Sequence, residues 1–245
     1  MRDSESENDI MTTRQVRLLS GGAAHGVVEA LAPQFKDETG AEIVGSFGPV
    51  GGMRDRLLAG EPADLVILTK ALIVELSAGK RVLPDTVAEL GRVRTGVAVK
   101  QGGALPDISN AQALRAALLE AKEIFFPDPV RATAGIHFAK VIDSLGLRET
   151  IAPRLRPHPS GAAAMRAMSQ ASGGGLLGCT QITEIMITPG AMLVGPLPAE
   201  FELATVYTAA VCADAVAMDL ARRLAELLGG ALTRSLRVRL GFELL

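Results

Sequence analysis

The stretch Val16-Arg17-Leu18-Leu19-Ser20-Gly21-Gly22-Ala23-Ala24 decides the fold. A short apolar strand runs into a loop of small uncharged residues, after which Val27, Val28, Leu31 and Phe35 recur at helical spacing. That is a β-loop-α unit, and the chain repeats it. Glu42 to Phe47 reads as a second strand, Gly48-Pro49-Val50-Gly51-Gly52 as a second small-residue junction, and the helix from Met53 carries Leu57 and Leu58 inward until Gly60-Glu61-Pro62 breaks it. Asp64-Leu65-Val66-Ile67-Leu68 has the continuous apolar character of a buried parallel strand.

The pattern restarts after a strand at Val93–Val99 that ends at Gln101-Gly102-Gly103. Ser109 is the expected N-cap of a helix through Ala121, followed by a strand at Glu123–Phe126. Asp128 to Gly135 forms a third junction, opening a helix through Leu145, and Pro157 to Ala162 a fourth, opening a helix with Met165 and Met168. Leu176–Thr180 is a short buried strand and Glu202–Cys212 an extended segment, and Asp214 is the expected cap of a C-terminal helix bearing Leu220, Leu224 and Leu227. Repeated strand, loop and helix imply α/β architecture in two halves. Helix N-termini offer unpartnered N–H groups and the positive end of the helix dipole, so loops without bulky side chains let an anion approach the backbone. The carboxyl ends of the strands gather such loops, which places a small anionic ligand in a cleft between the halves.

Bulk properties exclude other classes. The 245 residues carry a net charge of -2, 48% hydrophobic and 21% charged residues, which gives no electrostatic basis for nucleic-acid binding. Aromatics at 3%, with no Trp, supply no stacking platform. Cys179 and Cys212 have no metal-ligand spacing and sit in apolar runs as packed thiols, so neither metal nor cofactor is expected. The N-terminal segment, residues 1–13, is polar and acidic and reads as a disordered tail, with Met11 an alternative start. It lacks an apolar signal-peptide core, and no stretch reaches transmembrane length. The chain as written is therefore expected in the cytoplasm, or in the periplasm if a signal has been removed.

Ordered motifs from Val16 to the end resemble the type II periplasmic solute-binding proteins, most closely the molybdate-binding branch, which also includes aconitate-isomerase-like proteins. They are Phe47 to Gly52, Leu57 to Leu65 with Ala59-Gly60-Glu61-Pro62-Ala63-Asp64, Asp128-Pro129 through Ala134-Gly135-Ile136 with Ala139-Lys140, and the terminal Leu240-Gly241-Phe242. The resemblance implies two lobes, each a mixed sheet flanked by helices, with the ligand cleft between them. Lobe one takes residues 14–95 and 206–245 and lobe two takes 96–205, with crossing strands near Val93–Val99 and Ala204–Val211 and hinge closure over the ligand. It also implies an ABC permease as partner. The serine hydroxyls of molybdate binders fall here at Ala23 and around Val50-Gly51, and the branch's tyrosine at Thr180. Each lost donor to a buried oxyanion costs about 1.5–3 kcal/mol. The absent side chains are also expected to leave a roomier pocket.

The expected function is binding of a small anion, an organic di- or tricarboxylate rather than molybdate. The alternatives are an aconitate-isomerase-like enzyme, for which His25, Tyr207 and Lys70 are the candidate acid–base groups, and a molybdate or oxyanion binder. A ligand sensor that presents its closed form to a partner is indistinguishable from the first. The expected ligand contacts are Gly22, Ala23, Val50, Gly51 and Gly52 from the first two junctions, and Lys70 at the end of the third strand. From the second half come Arg131, Thr133 and Ala134, then Ser160 and Gly161, then Thr180 and Gln181, with Tyr207 near the hinge. Lys70 and Arg131 would add charge, Arg131 by gripping a carboxylate in bidentate fashion.

Overall fold

The computed structural model describes residues 14–245; the tail at residues 1–13 lies outside the described residues. Nine strands form β1 (Gln15–Gly21), β2 (Glu42–Gly48), β3 (Leu65–Thr69), β4 (Ala88–Lys100), β5 (Glu123–Pro127), β6 (Leu155–His158), β7 (Leu176–Gln181), β8 (Ala191–Pro196) and β9 (Ala204–Val211). Their order is β2-β1-β3-β9-β4-β7-β5-β6, with β8 also paired to β4. Parallel pairs β1–β2 and β1–β3 build the first lobe, and β5–β6 and β5–β7 the second. The long strand β4 belongs to both. Ala88–Arg94 pair antiparallel with β9, whereas Thr95–Lys100 run between β7 and β8.

Helices cover these sheets: α1 (His25–Thr39), α2 (Val50–Leu58), α3 (Lys70–Ala78), α4 (Ala111–Glu120), α5 (Thr133–Ser144), α6 (Arg148–Ile151), α7 (Gly161–Gln170), α8 (Ile182–Met186), α9 (Met218–Gly229) and α10 (Arg234–Arg239). The spacing of Val27, Val28, Leu31 and Phe35 buries one face of α1, and Gly40 ends that helix in the left-handed region with φ 69°. The first core joins Leu18, Phe35, Leu65 and Ile67 to Leu224 and Phe242, so the C-terminal segment returns to the lobe that the N-terminal strand begins. A second core gathers Leu114, Ile124, Phe126 and Phe138, and Met165 and Met168 pack a third under α7. Both cysteines are buried free thiols. No helix among the described residues is long and apolar enough to cross a membrane.

Several local expectations need correction. Leu58 does not face inward with Leu57: it is 49% exposed at the end of α2. Asn110, not Ser109, caps α4, because its side chain accepts from Ala113 N–H at 3.0 Å while Ser109 N–H is turned to Asp107. Asp214 does not cap the C-terminal helix. That helix has no side-chain cap; the buried carboxylate of Asp64 instead receives the N–H groups of Val216 at 2.8 Å and Ala217 at 3.0 Å in the turn that leads into α9. Strand β9 lies wholly in the first lobe's sheet, so the return crossing precedes Ala204, where Leu203 and Leu197 bond the backbone of Thr95. Strands β6 and β8 add to those expected from the sequence.

Asp64 ties β1 to α9 as well, since its other oxygen accepts from Arg17 N–H at 2.8 Å and from the guanidinium at 3.3 Å. Burial pushes its pKa up, but the N–H groups of Ala217, Arg17 and Val216 and the Arg17 side chain outweigh this, so it sits below the usual carboxylate value. Between the folded and unfolded pKa values the unfolded chain binds more protons, so this stabilisation is present above the unfolded value and lost as pH falls through the folded one. We expect Asp64→Ala to lower unfolding free energy in urea by at least about 2 kcal/mol, because buried N–H groups lose their acceptor. The loss should shrink at acid pH. A variant as stable as wild type at pH 7 would refute the assignment.

Candidate functional site

The four small-residue junctions, the end of β7 and the middle of β9 meet at one cavity of about 30 Å³ between the lobes. The first lobe contributes Gly22, Ala23, Pro49 and Val50, and the second Thr133, Ala134, Ser160, Gly161, Thr180 and Gln181, with Tyr207 on β9. Three of the junctions carry no side-chain cap: Gly21 ahead of the 3-10 turn Gly22–Ala24, Pro49 ahead of α2, and Ala132 ahead of α5. Their leading N–H groups are thus not taken by a capping side chain. The fourth differs, since Ser160 caps α7 by accepting from Ala163 N–H at 3.2 Å.

Glu184 is the residue that sequence reasoning missed. It lines the same cavity at 5% exposure, on the short helix α8 that follows β7. Thr180 Oγ1 donates to Glu184 Oε2 at 2.6 Å, and backbone N–H groups of Ala162 and Gln181 also reach the carboxyl. Gly22 and Gly161 exist in their present form because of it. A Cβ at Gly22 would overlap Glu184 Oε1, and one at Gly161 would overlap Oε2 and Thr180 Oγ1. The cavity is small despite the plain side chains at Ala23 and Val50, and Glu184 fills the space beside Gly22 and Gly161. Burial raises its pKa, and the Thr180 hydroxyl and the neighbouring backbone N–H groups only partly oppose that shift. Among the described residues no lysine or arginine lines the cavity. Tyr207, also buried there, has its phenol pushed up by burial and then by the Glu184 charge. A signal was present in the sequence: between Arg166 and Glu200, Glu184 is the only charged residue.

Gln181 makes a second demand on the site. It is 3% exposed at the cavity wall, and both its Oε1 and its Nε2 are buried without a hydrogen-bond partner among the described residues. Buried polar atoms of this kind are rare, and leaving one unpaired costs about 1–3 kcal/mol.

Five expected site residues fall outside the cavity. Lys70 begins α3 with its side chain 60% exposed and its Nζ 2.6 Å from Glu89, so its charge is spent on a surface ion pair. Arg131 is exposed in the third junction, and its backbone N–H bonds Asp128. Gly51 and Gly52 are already inside α2. Gly51 instead faces the Arg131 carbonyl across the cleft, and Gly52 faces open space. His25 pairs with Glu29 at 3.0 Å and packs on Phe47 with ring centroids 4.0 Å apart. No cluster of three or more His, Cys, Asp or Glu residues suited to a metal occurs among the described residues.

Residues 16–243 match the family described as bacterial extracellular solute-binding protein. The chain is 27% identical to aconitate isomerase of a Pseudomonas species over 220 residues, covering 86% of this chain and 80% of that protein. It is 23% identical to the molybdate-binding protein ModA of Escherichia coli, covering 83% and 79%. Among solved structures, the periplasmic molybdate-binding protein of Azotobacter vinelandii superposes with a TM-score of 0.77 at 19% identity, covering 94% of this chain and 99% of that one.

If Gly22 is small to accommodate Glu184, Gly22→Ala should lower unfolding free energy by about 1–3 kcal/mol, the usual cost of overpacking. Most of that loss should vanish in a Glu184→Ala background. The double-mutant cycle, read by urea denaturation, checks this: additive effects would mean that the two residues do not meet.

Proposed function

Because the chain belongs to the family of bacterial extracellular solute-binding proteins, we propose that its lobes close on a small organic acid, a di- or tricarboxylate, rather than on molybdate. The unpartnered amide of Gln181 at the cavity wall carries this reading. Nε2 needs an acceptor and Oε1 needs a donor. A fully ionised oxyanion supplies acceptors only, whereas an organic acid with a carboxylic proton or a hydroxyl supplies both. Glu184 supports the same choice, since a buried carboxyl without a neighbouring cation disfavours a second bare charge. The cavity of about 30 Å³ has room for roughly two water-sized groups, comparable to the oxygens of one carboxylate. The remainder of a larger acid requires the lobes to stand further apart, as a hinge at β4 permits. Delivery of the bound acid to an ABC permease is the role that family membership supports.

Thermal unfolding with citrate, tricarballylate, cis- and trans-aconitate, molybdate and sulfate tests the assignment. A carboxylate at one hundred times its Kd should stabilise by about 2.7 kcal/mol, a rise in Tm of roughly 5–10 °C for a chain of this size. A rise with molybdate alone would overturn it.

A second reading is favoured by the relationship to aconitate isomerase together with the carboxyl at the cleft. Moving a double bond in a tricarboxylate needs one group that takes a proton from one carbon and returns it to another, and Glu184 is the cavity's carboxyl that fits this role. His25 and Lys70, engaged with Glu29 and Glu89, do not. Incubation with cis- and trans-aconitate should give interconversion that Glu184→Gln abolishes. Absence of turnover in a protein that binds both isomers would leave the binding function alone.

A further inference from the structure

We propose that Glu184 is a ligand-contacting, specificity-determining residue whose carboxyl shares one proton with a carboxylate of the bound acid, so that closure of the cleft on an anion is coupled to one proton. This rests on the reading that the cleft takes a small organic anion. The geometry leaves the carboxyl few alternatives. Oε2 is held by Thr180, and Oε1 lies where a Cβ of Gly22 would be, so the group reaches from the second lobe to the backbone of the first. It forms part of the cavity wall beside the unpartnered Gln181 amide, so an anion entering there lies against it.

The surrounding charges do not relieve the encounter. The elements packed on α8 are the Gly22–Ala24 turn, α1, α7, β4, β7 and β8. Nearest on α1, His25 and Glu29 pair with each other. On β4, Glu89 pairs with Lys70, Arg92 and Arg94 turn to Glu243, and Lys100 bonds the Ala171 carbonyl. Arg166 on α7 is exposed, and Cys179 on β7 is a core thiol whose pKa burial raises. Tyr207, on β9, is the other titratable group that lines the cavity, and its phenol stays neutral. Two carboxylates meeting here without a cation cannot both ionise. One proton resolves the conflict. It is taken from solvent by Glu184 or brought by the acid, and it bridges the two carboxyl groups as an O–H···O bond, with no covalent change. Burial, which already pushes the Glu184 pKa up, acts in the same direction.

Calorimetric titration between pH 5.5 and 9.5, in two buffers of different ionisation enthalpy, tests the coupling with tricarballylate, citrate and molybdate as probes. We expect wild-type protein to show a limb on which tricarballylate affinity falls nearly ten-fold per pH unit, with close to one proton taken up per ligand. Glu184→Gln, a neutral isostere, should bind tricarballylate with no such limb and no uptake. Molybdate should gain relative to tricarballylate in this variant. Thr180→Val guards against a misfolded Glu184→Gln. It removes a donor to the ionised carboxyl and should shift the limb to higher pH without abolishing it. Tricarballylate binding by wild type with neither limb nor proton uptake would overturn the proposal while leaving organic-acid binding intact, as would a Glu184→Gln protein that keeps the limb. Binding of neither carboxylate at any pH would overturn the organic-acid reading and this proposal together.

Discussion

A carboxyl group buried with no cation beside it must be satisfied by hydrogen bonds or lose its charge, and the cleft is arranged around that condition at Glu184. The Thr180 hydroxyl and two peptide N–H groups reach it, and two glycines give up their side chains to make room. The junctions of the second lobe thus hold a fixed acidic group. Those of the first lobe present backbone and little else.

Ala23 and Val50 line the cavity without offering hydroxyls, and Thr180 turns its hydroxyl to Glu184. Polar groups buried at such a wall each call for a partner of the opposite hydrogen-bonding role. The unpaired Gln181 amide obeys the same logic, since an amide both gives and receives.

Much of the architecture was legible because it rests on local patterns. Apolar runs such as Leu65–Leu68, helical spacing such as Val27 to Phe35 and small-residue junctions are written in consecutive residues. The junctions also led to seven residues of the cavity wall, from Gly22 to Gly161, while Thr180 and Gln181 came from a strand end and Tyr207 from the family resemblance. Hidden from the sequence were the features created by pairing across distance. Asp64 holds the turn ahead of a helix about 150 positions later, and Lys70 and Arg131 lie near the cleft in sequence but are turned outward. Glu184 escapes a sequence reading because Leu176–Thr180 has the pattern of a complete buried strand, and the short helix beyond it carries no motif of its own. Its isolation in a long uncharged stretch was the available clue.

Strand β4 hydrogen-bonds through its first half to β9 and through its second to β7 and β8. Neither lobe can lose that strand without stripping the other of an interior member of its sheet. The two lobes are therefore bound into one cooperative unit despite their separate cores. Melting should proceed as a single transition, and damage on either side of the cleft weakens the whole molecule rather than half of it.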